Sequence, residues 1–137
     1  MILYSYVNMY LEGIHAGIQT AHMLNEMWVK YNLSTNPFYP TRTEKLMDWA
    51  TNSNTIFIYT GGYQSSLEER LARFARYSHR YDLPYAYFKE SKDALNGTLT
   101  CVGIIVDEVK INTPNVDLDY KYDQEFIDLL CNSQRAR

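Results

Sequence analysis

The chain has 137 residues, of which 46% are hydrophobic and 21% are charged, and its formal net charge is −3. This composition is typical of one packed domain, and it excludes a disordered, collagenous or coiled-coil chain. Its apolar runs are far too short to cross a bilayer, and its N-terminus lacks the basic region and apolar segment of a secretory signal. We therefore expect no membrane association and a cytoplasmic location.

The charge is unevenly distributed along the chain. Residues 1–106 carry nine acidic and nine basic side chains, whereas residues 107–137 carry seven acidic and four basic ones. Because broad nucleic-acid binders are usually basic, this balance argues against salt-driven binding to nucleic acid. The same charge balance is compatible with a small basic pocket.

Cysteine and tyrosine contents are the other informative counts. Two cysteines are too few for a disulfide framework, and the apolar context of Cys101 and Cys131 predicts buried free thiols. Thirteen tyrosines suit binding surfaces and half-buried positions. An AT-rich coding sequence explains the same count equally well.

The N-terminal half predicts a strand, two helices and a second strand. Alternation predicts a strand over 1–8, and helical periodicity predicts a helix over 15–31. The apolar stripe predicted for that helix consists of Ile14, Gly17, Ile18, Ala21, Leu24, Trp28 and Val29. Thr41 and Glu44 have capping-box spacing, which predicts the start of a short helix. The sequence then predicts a turn over 52–54 and a buried strand over 55–60.

The C-terminal half predicts a helix, two strands and a last short helix. Ser65 and Glu68 have capping-box spacing before a helix near 66–81, which Pro84 ends. Strands are predicted over 85–88 and 98–106, and a helix over 124–131. Buried strands joined by helices predict a small α/β sandwich.

A polar stripe on the first long helix is the first candidate site. Its members, His15, Gln19, His22 and Glu26, share one helix side. A phosphate or carboxylate near Gly13 and His15 would meet the free N–H groups of the helix N-terminus. A solvated helix face is the competing interpretation. A metal site on His22 and Glu26 is disfavoured because no second ligand cluster appears, so we expect neither a metal nor a cofactor.

Two further groups of residues are candidates. Arg73, Arg76 and Arg80 share one side of the 66–81 helix and would form either a phosphate-binding patch or a solvated face. Thr98 and Thr100 follow the turn glycine Gly97 and would orient a ligand or a water, although threonine is also common in strands for steric reasons.

Four short motifs in sequence resemble the type 2 peptidyl-tRNA hydrolase family. The segment 15–22 matches the start of that family's first helix at Ala16, Gln19, Ala21 and His22. Trp49 precedes the second strand, 82–84 matches a "glp" helix end, and 96–100 matches the strand that begins P-G-T-x-T. The likeness covers roughly residues 1–107. The segments 4–11 and 17–22 are also similar to small tailed-phage proteins of unassigned function, which implies the host cytoplasm as the location if a phage encodes the protein.

This resemblance implies a three-layer sandwich in which helices flank both faces of a four-stranded mixed sheet. It implies one α/β domain over 1–111, to which an acidic extension with a short helix, 112–137, belongs. The family's catalytic lysine position holds His15, its loop aspartate falls near Glu90, and its threonines correspond to Thr98 and Thr100. The usual D-A-G loop is absent.

Because the lysine is replaced and the body is neutral, we expect a retuned site that binds a phosphate-bearing nucleotide or a nucleic-acid end. The expected ligand contacts are Gly13, His15, Gln19, His22, Lys89, Gly97, Thr98 and Thr100. In a phage, such binding would sequester a nucleotide signal. We also expect a homodimer or a higher homo-oligomer.

Two alternative functions are compatible with the same residues. The first is a peptidyl-tRNA hydrolase that acts on the tRNA 3′ end, in which His15 replaces the lysine, Thr100 positions water and Glu90 is the base. The second is a protein-interaction module that uses the tyrosines and the acidic tail.

Overall fold

A computed structural model of the protein describes residues 1–32, 36–91, 97–107 and 122–131. The strands are β1 (Ile2–Val7), β2 (Thr55–Thr60), β3 (Tyr85–Lys89) and β4 (Leu99–Val106). The helices are α1 (Ile14–Lys30), α2 (Pro40–Asp48), α3 (Gln64–Tyr81) and α4 (Gln124–Cys131), and one π-helical turn, Trp49–Ser53, follows α2. The predicted order of elements is confirmed. Of the acidic extension expected over 112–137, only residues 122–131 lie within the described part of the chain.

The four strands form one mixed sheet in the order β2-β1-β4-β3. β1 pairs in parallel with β2, and β4 pairs antiparallel with both β1 and β3. The two central strands are buried along their whole length, which explains the continuous apolar run of β4.

Helices cover both faces of the sheet, so the predicted α/β sandwich with a four-stranded mixed sheet is confirmed. On one face, α3 and α4 pack Phe74, Tyr77 and Phe126 against β1 and β4. On the other face, α1 and α2 supply Met23 and Leu46 to a second cluster. Within the described residues, no helix is both long and apolar enough to cross a membrane.

The apolar stripe predicted for α1 is wrong. Three of its members, Ile14, Ile18 and Val29, are 75%, 43% and 61% exposed. The buried face instead consists of Ala16, Thr20, Met23 and Met27. Thr20 can be buried because its hydroxyl donates to the Ala16 carbonyl at 2.9 Å and hydrogen-bonds with Ser5 Oγ at 2.7 Å.

Both predicted capping boxes are wrong, although the helices themselves exist. α2 begins at Pro40, whose missing N–H costs nothing in a first helical turn, and α3 begins at Gln64. Neither helix has a side-chain hydrogen bond at its N-cap. The turn predicted over 52–54 is helical up to Ser53, and Asn54 ends it in the left-handed conformation.

Two burial predictions also need correction. β2 is an edge strand with exposed or half-buried side chains, because only β1 pairs with it among the described elements. Cys131 is exposed, since it is the residue after the buried Leu130 on α4 and lies to one side of the buried face. Cys101 is buried as predicted, and burial raises the pKa of its thiol to about 12.

Candidate functional site

Three of the predicted site residues meet in one hydrogen-bond network. The Gln19 side chain on α1 donates from Nε2 to Glu90 Oε1 at 3.0 Å. Its Oε1 accepts from Thr100 Oγ1 on β4 at 2.8 Å, so one amide joins the helix, the strand and the loop that follows β3. The first helix and the start of β4 therefore converge around Gln19.

Thr100 is an interior member of this network. Thr100 is 1% exposed, and its hydroxyl oxygen also lies 3.3 Å from the Phe88 carbonyl oxygen. A hydroxyl has one hydrogen, and here both neighbouring partners are acceptors. Thr100 is consequently placed to tie α1 and β3 to β4, and its hydrogen is already engaged within the protein.

Gly97 and Thr98 lie beside the network and contact the residues that follow β3. Glu90 N–H donates to the Thr98 carbonyl at 3.0 Å, which holds the Glu90 backbone against the start of β4. Gly97 has φ +73°, a left-handed conformation that favours glycine, and its N–H donates to the Ser91 carbonyl at 3.4 Å. The backbone contact with Thr98 thus fixes the position of Glu90 beside the network.

His15 and Gly13 are not brought into the network. Both are exposed at the N-terminus of α1, and the His15 imidazole has no hydrogen bond or ion pair with the residues that the structure describes. His22 is exposed as well, but its ring stacks on Phe88 with 4.6 Å between centroids. The predicted stripe therefore divides into a solvated end at His15 and a middle part that contacts β3 and its loop.

The predicted phosphate patch on α3 is largely neutralised. Arg73 and Arg76 both lie 3.4 Å from Glu125 Oε1, and Arg80 lies 2.7 Å from Asp123 Oδ2. Arg73 also pairs with Glu69. These arginines hold the α4 region by exposed ion pairs, which favours the interpretation as a structural, solvated face.

An open groove of about 600 Å³ lies between α1 and the outer edge of β3. Phe88 connects it to the network, because the Phe88 ring stacks on His22 and its carbonyl faces Thr100. The lining side chains come from the C-terminal half of α1 and from the whole of β3: Glu26, Val29, Lys30, Tyr85, Ala86, Tyr87, Phe88 and Lys89.

Sequence reasoning found Glu26 and Lys89 but missed Lys30 and the tyrosines of β3. The signal was present, since Lys30 follows Glu26 by four residues and continues the polar stripe toward the end of α1. Tyr85 and Tyr87 alternate with Ala86 on a strand that lies at the sheet edge. The contact of this strand with α1 is visible only in the folded structure, where both elements line the groove.

Lys30 has the most perturbed environment in the groove. Its Nζ lies 3.5 Å from the centroid of the Tyr85 ring, a cation–π contact. Burial, with a further contribution from Arg42, lowers the Lys30 pKa from 10.5 to about 8. Lys89 also lies beside an aromatic ring, with its Nζ 5.8 Å from the Tyr87 centroid. The groove thus combines two lysine ammonium groups with the aromatic rings of Tyr85 and Tyr87.

No group of three or more metal-ligating side chains occurs in the part of the chain that the structure describes. No protein-family model matches the sequence, and no curated protein gives a significant match.

The role of Gln19 as the link of the network leads to a stability prediction. Gln19→Leu should lower the free energy of unfolding by about 1–2 kcal/mol, because the buried Thr100 hydroxyl and the half-buried Glu90 carboxylate each lose a hydrogen-bond partner. Chemical denaturation measures this change. The exposed Asn25 on the same helix is the matched control, and Asn25→Leu should change stability by less than about 0.5 kcal/mol. Equal effects of the two variants would contradict the structural role of the network.

Proposed function

We propose that the protein binds a phosphate-bearing nucleotide, or the nucleotide end of a nucleic acid, in the groove between α1 and β3. The observation that carries this proposal is the pairing of two lysine ammonium groups with aromatic rings in one cavity. Its volume of about 600 Å³ falls in the usual range for small-ligand sites. If a phage encodes the protein, binding without turnover would sequester a nucleotide signal.

The groove offers a partner to each part of such a ligand. Lys30 and Lys89 supply charge-assisted hydrogen bonds to phosphate oxygens. Tyr87 is 43% exposed, and stacking of a base on an aromatic ring tolerates every base. Glu26 at the groove wall is an acceptor for sugar hydroxyl or base amino groups.

A peptidyl-tRNA hydrolase is the second candidate, and the contact of Glu90 with Gln19 beside Thr100 favours it. Glu90 would be the base in that reaction, and the family's catalytic lysine position would be filled by His15. Two observations weigh against it. The Thr100 hydrogen is committed to Gln19, and His15 has no contact with this network among the described residues.

Calorimetric titration with ATP, AMP, adenosine and inorganic tripolyphosphate tests the binding proposal. ATP and AMP should bind and raise the melting temperature, since ligands that bind the folded state stabilise it. Adenosine and tripolyphosphate should each bind more weakly than ATP, because each uses only half of the groove. Lys89→Ala should weaken ATP binding by about tenfold, the cost of one charge-assisted hydrogen bond. Arg80→Ala, which removes a distant cation, is the control.

Two results would contradict the proposal. One is the absence of any heat or melting shift with all four probes. The other is release of free tRNA when the protein is incubated with peptidyl-tRNA, with loss of that activity in His15→Ala. The second result would establish the hydrolase instead.

A further inference from the structure

Among the described elements, β2 forms a sheet edge that lacks the features that usually protect one. Natural edge strands carry charges, prolines or bulges that prevent pairing with another chain. β2 has the sequence Thr-Ile-Phe-Ile-Tyr-Thr, which contains neither a charge nor a proline. Its register with β1 is unbroken from Thr55 to Thr60, so no bulge twists it away. All six of its residues are β-branched or aromatic, which favours strand pairing.

The opposite edge of the same sheet shows the contrast. β3 carries Lys89, and its register with β4 shifts between Phe88 and Lys89. α1 also borders it along the groove. Along β2, a shallow hollow is lined by Ile56, Phe57, Ile58 and Tyr59. Ile56 is 40% exposed, and no other described element pairs with this edge.

We propose that a second copy of this chain pairs antiparallel with β2 and continues the sheet to eight strands. A two-fold axis perpendicular to the sheet keeps each face continuous, so a residue of β2 faces only residues of the same face in the other copy. An axis at Ile58 places Phe57 opposite Tyr59 of the second copy, and this aromatic pair occurs twice by symmetry.

A second copy suits this edge better than a charged partner strand. A strand without charges meets itself without like-charge repulsion, and the net charge of −3 per chain adds little repulsion between copies. Both aromatic residues also extend an existing cluster, because Phe57 and Tyr59 already pack beside Tyr4 at centroid distances of 5.7 and 6.0 Å. Pairing through β2 leaves the α1–β3 groove, at the opposite sheet edge, open in both copies.

Sedimentation across a concentration series, with the full chain, tests this interface. The wild type should shift from monomer to dimer as its concentration rises. Ile56→Lys should raise the dissociation constant by about tenfold or more, since a lysine on an edge strand opposes pairing. Ile18→Lys is the matched control, because Ile18 is exposed to a similar extent, 43%, but lies on α1. It should leave the dissociation constant unchanged.

Hydrogen–deuterium exchange of wild-type β2 tests the same interface even if Ile56→Lys fails to fold. Amides of 55–60 that do not bond to β1 should become protected only as the dimer forms. A monomer at all accessible concentrations would overturn the proposal. So would a dimer in which these amides exchange at the monomer rate, or equal weakening by both lysine variants. Protection that is independent of concentration in a monomer would show that another part of the same chain covers this edge.

Discussion

Phe126→Ala should lower the free energy of unfolding by about 3–5 kcal/mol, the usual cost of removing a buried phenylalanine ring. Phe126 is fully buried although it lies on the C-terminal helix α4. Its ring stacks on Tyr77 with 4.3 Å between centroids and meets Tyr122 edge-on at 5.2 Å. Alanine would leave a cavity between α3 and α4 and remove both aromatic contacts.

Urea denaturation followed by far-ultraviolet circular dichroism and by tyrosine fluorescence measures this loss. The two signals should change together in a single transition, because α4 shares the core of the sheet. Asp128→Ala is the control, since Asp128 is exposed on the same helix and its change should stay within about 0.5 kcal/mol. A separate early transition for α4, or an unchanged midpoint in Phe126→Ala, would contradict the assignment of 112–137 to the same domain.

The elements of the fold were predictable because local signals and tertiary structure agree for them. The strand around Ile104 and Ile105 is a continuous apolar run, as expected for a strand that is covered on both faces. Asp82 ends α3 in a left-handed conformation directly before Leu83 and Pro84, where the sequence predicts the end.

Side-chain environments were less predictable because they depend on which elements become neighbours. Thr20 looks like a surface residue until Ser5 on β1 supplies a partner for its hydroxyl. Ile14 looks like a core residue, yet it begins α1 outside the sheet and is exposed. In both cases the burial of the side chain depends on its tertiary neighbours and not on its hydrophobicity.

The candidate site also combines residues that local sequence signals predict with residues whose role depends on tertiary contacts. The spacing of the polar stripe identified Gln19, and the resemblance to a hydrolase family placed Glu90 and Thr100 with it, as the structure now does. The role of Lys30 was not predicted, because it depends on the contact with Tyr85. Tyr85 is 55 positions away in the chain and becomes a neighbour of Lys30 only when β3 occupies the sheet edge.

Lys30→Met should weaken ATP binding at pH 7 by about tenfold to a hundredfold, because it removes a half-buried cation from the proposed phosphate site. The same substitution should leave stability unchanged or raise it. Burial disfavours the charged form of Lys30, and methionine retains the apolar contact with Tyr85 without that cost. Lys45→Met is the control, since Lys45 Nζ donates to the Tyr81 and Asp82 carbonyls away from the groove. It should lower stability and leave affinity unchanged.

The pH dependence identifies Lys30 more specifically than affinity alone. With a pKa of about 8, Lys30 loses its charge as the pH rises above neutrality, whereas burial raises the Tyr85 pKa and keeps that phenol neutral. Bound phosphate favours the ammonium form, so the loss of ATP affinity should begin above pH 8 and should be absent in Lys30→Met.

The free energy of unfolding should increase as the pH rises above 8, whereas the affinity for ATP should fall. Between pH 8 and the ordinary lysine pKa of 10.5, the unfolded chain keeps a proton that folded Lys30 has lost, so Lys30 makes the folded state more stable as pH rises. Subtracting the Lys30→Met stability profile from that of the wild type isolates this contribution. A flat difference across this range, together with an affinity for ATP that falls equally in both proteins, would show that Lys30 neither titrates there nor contacts the ligand.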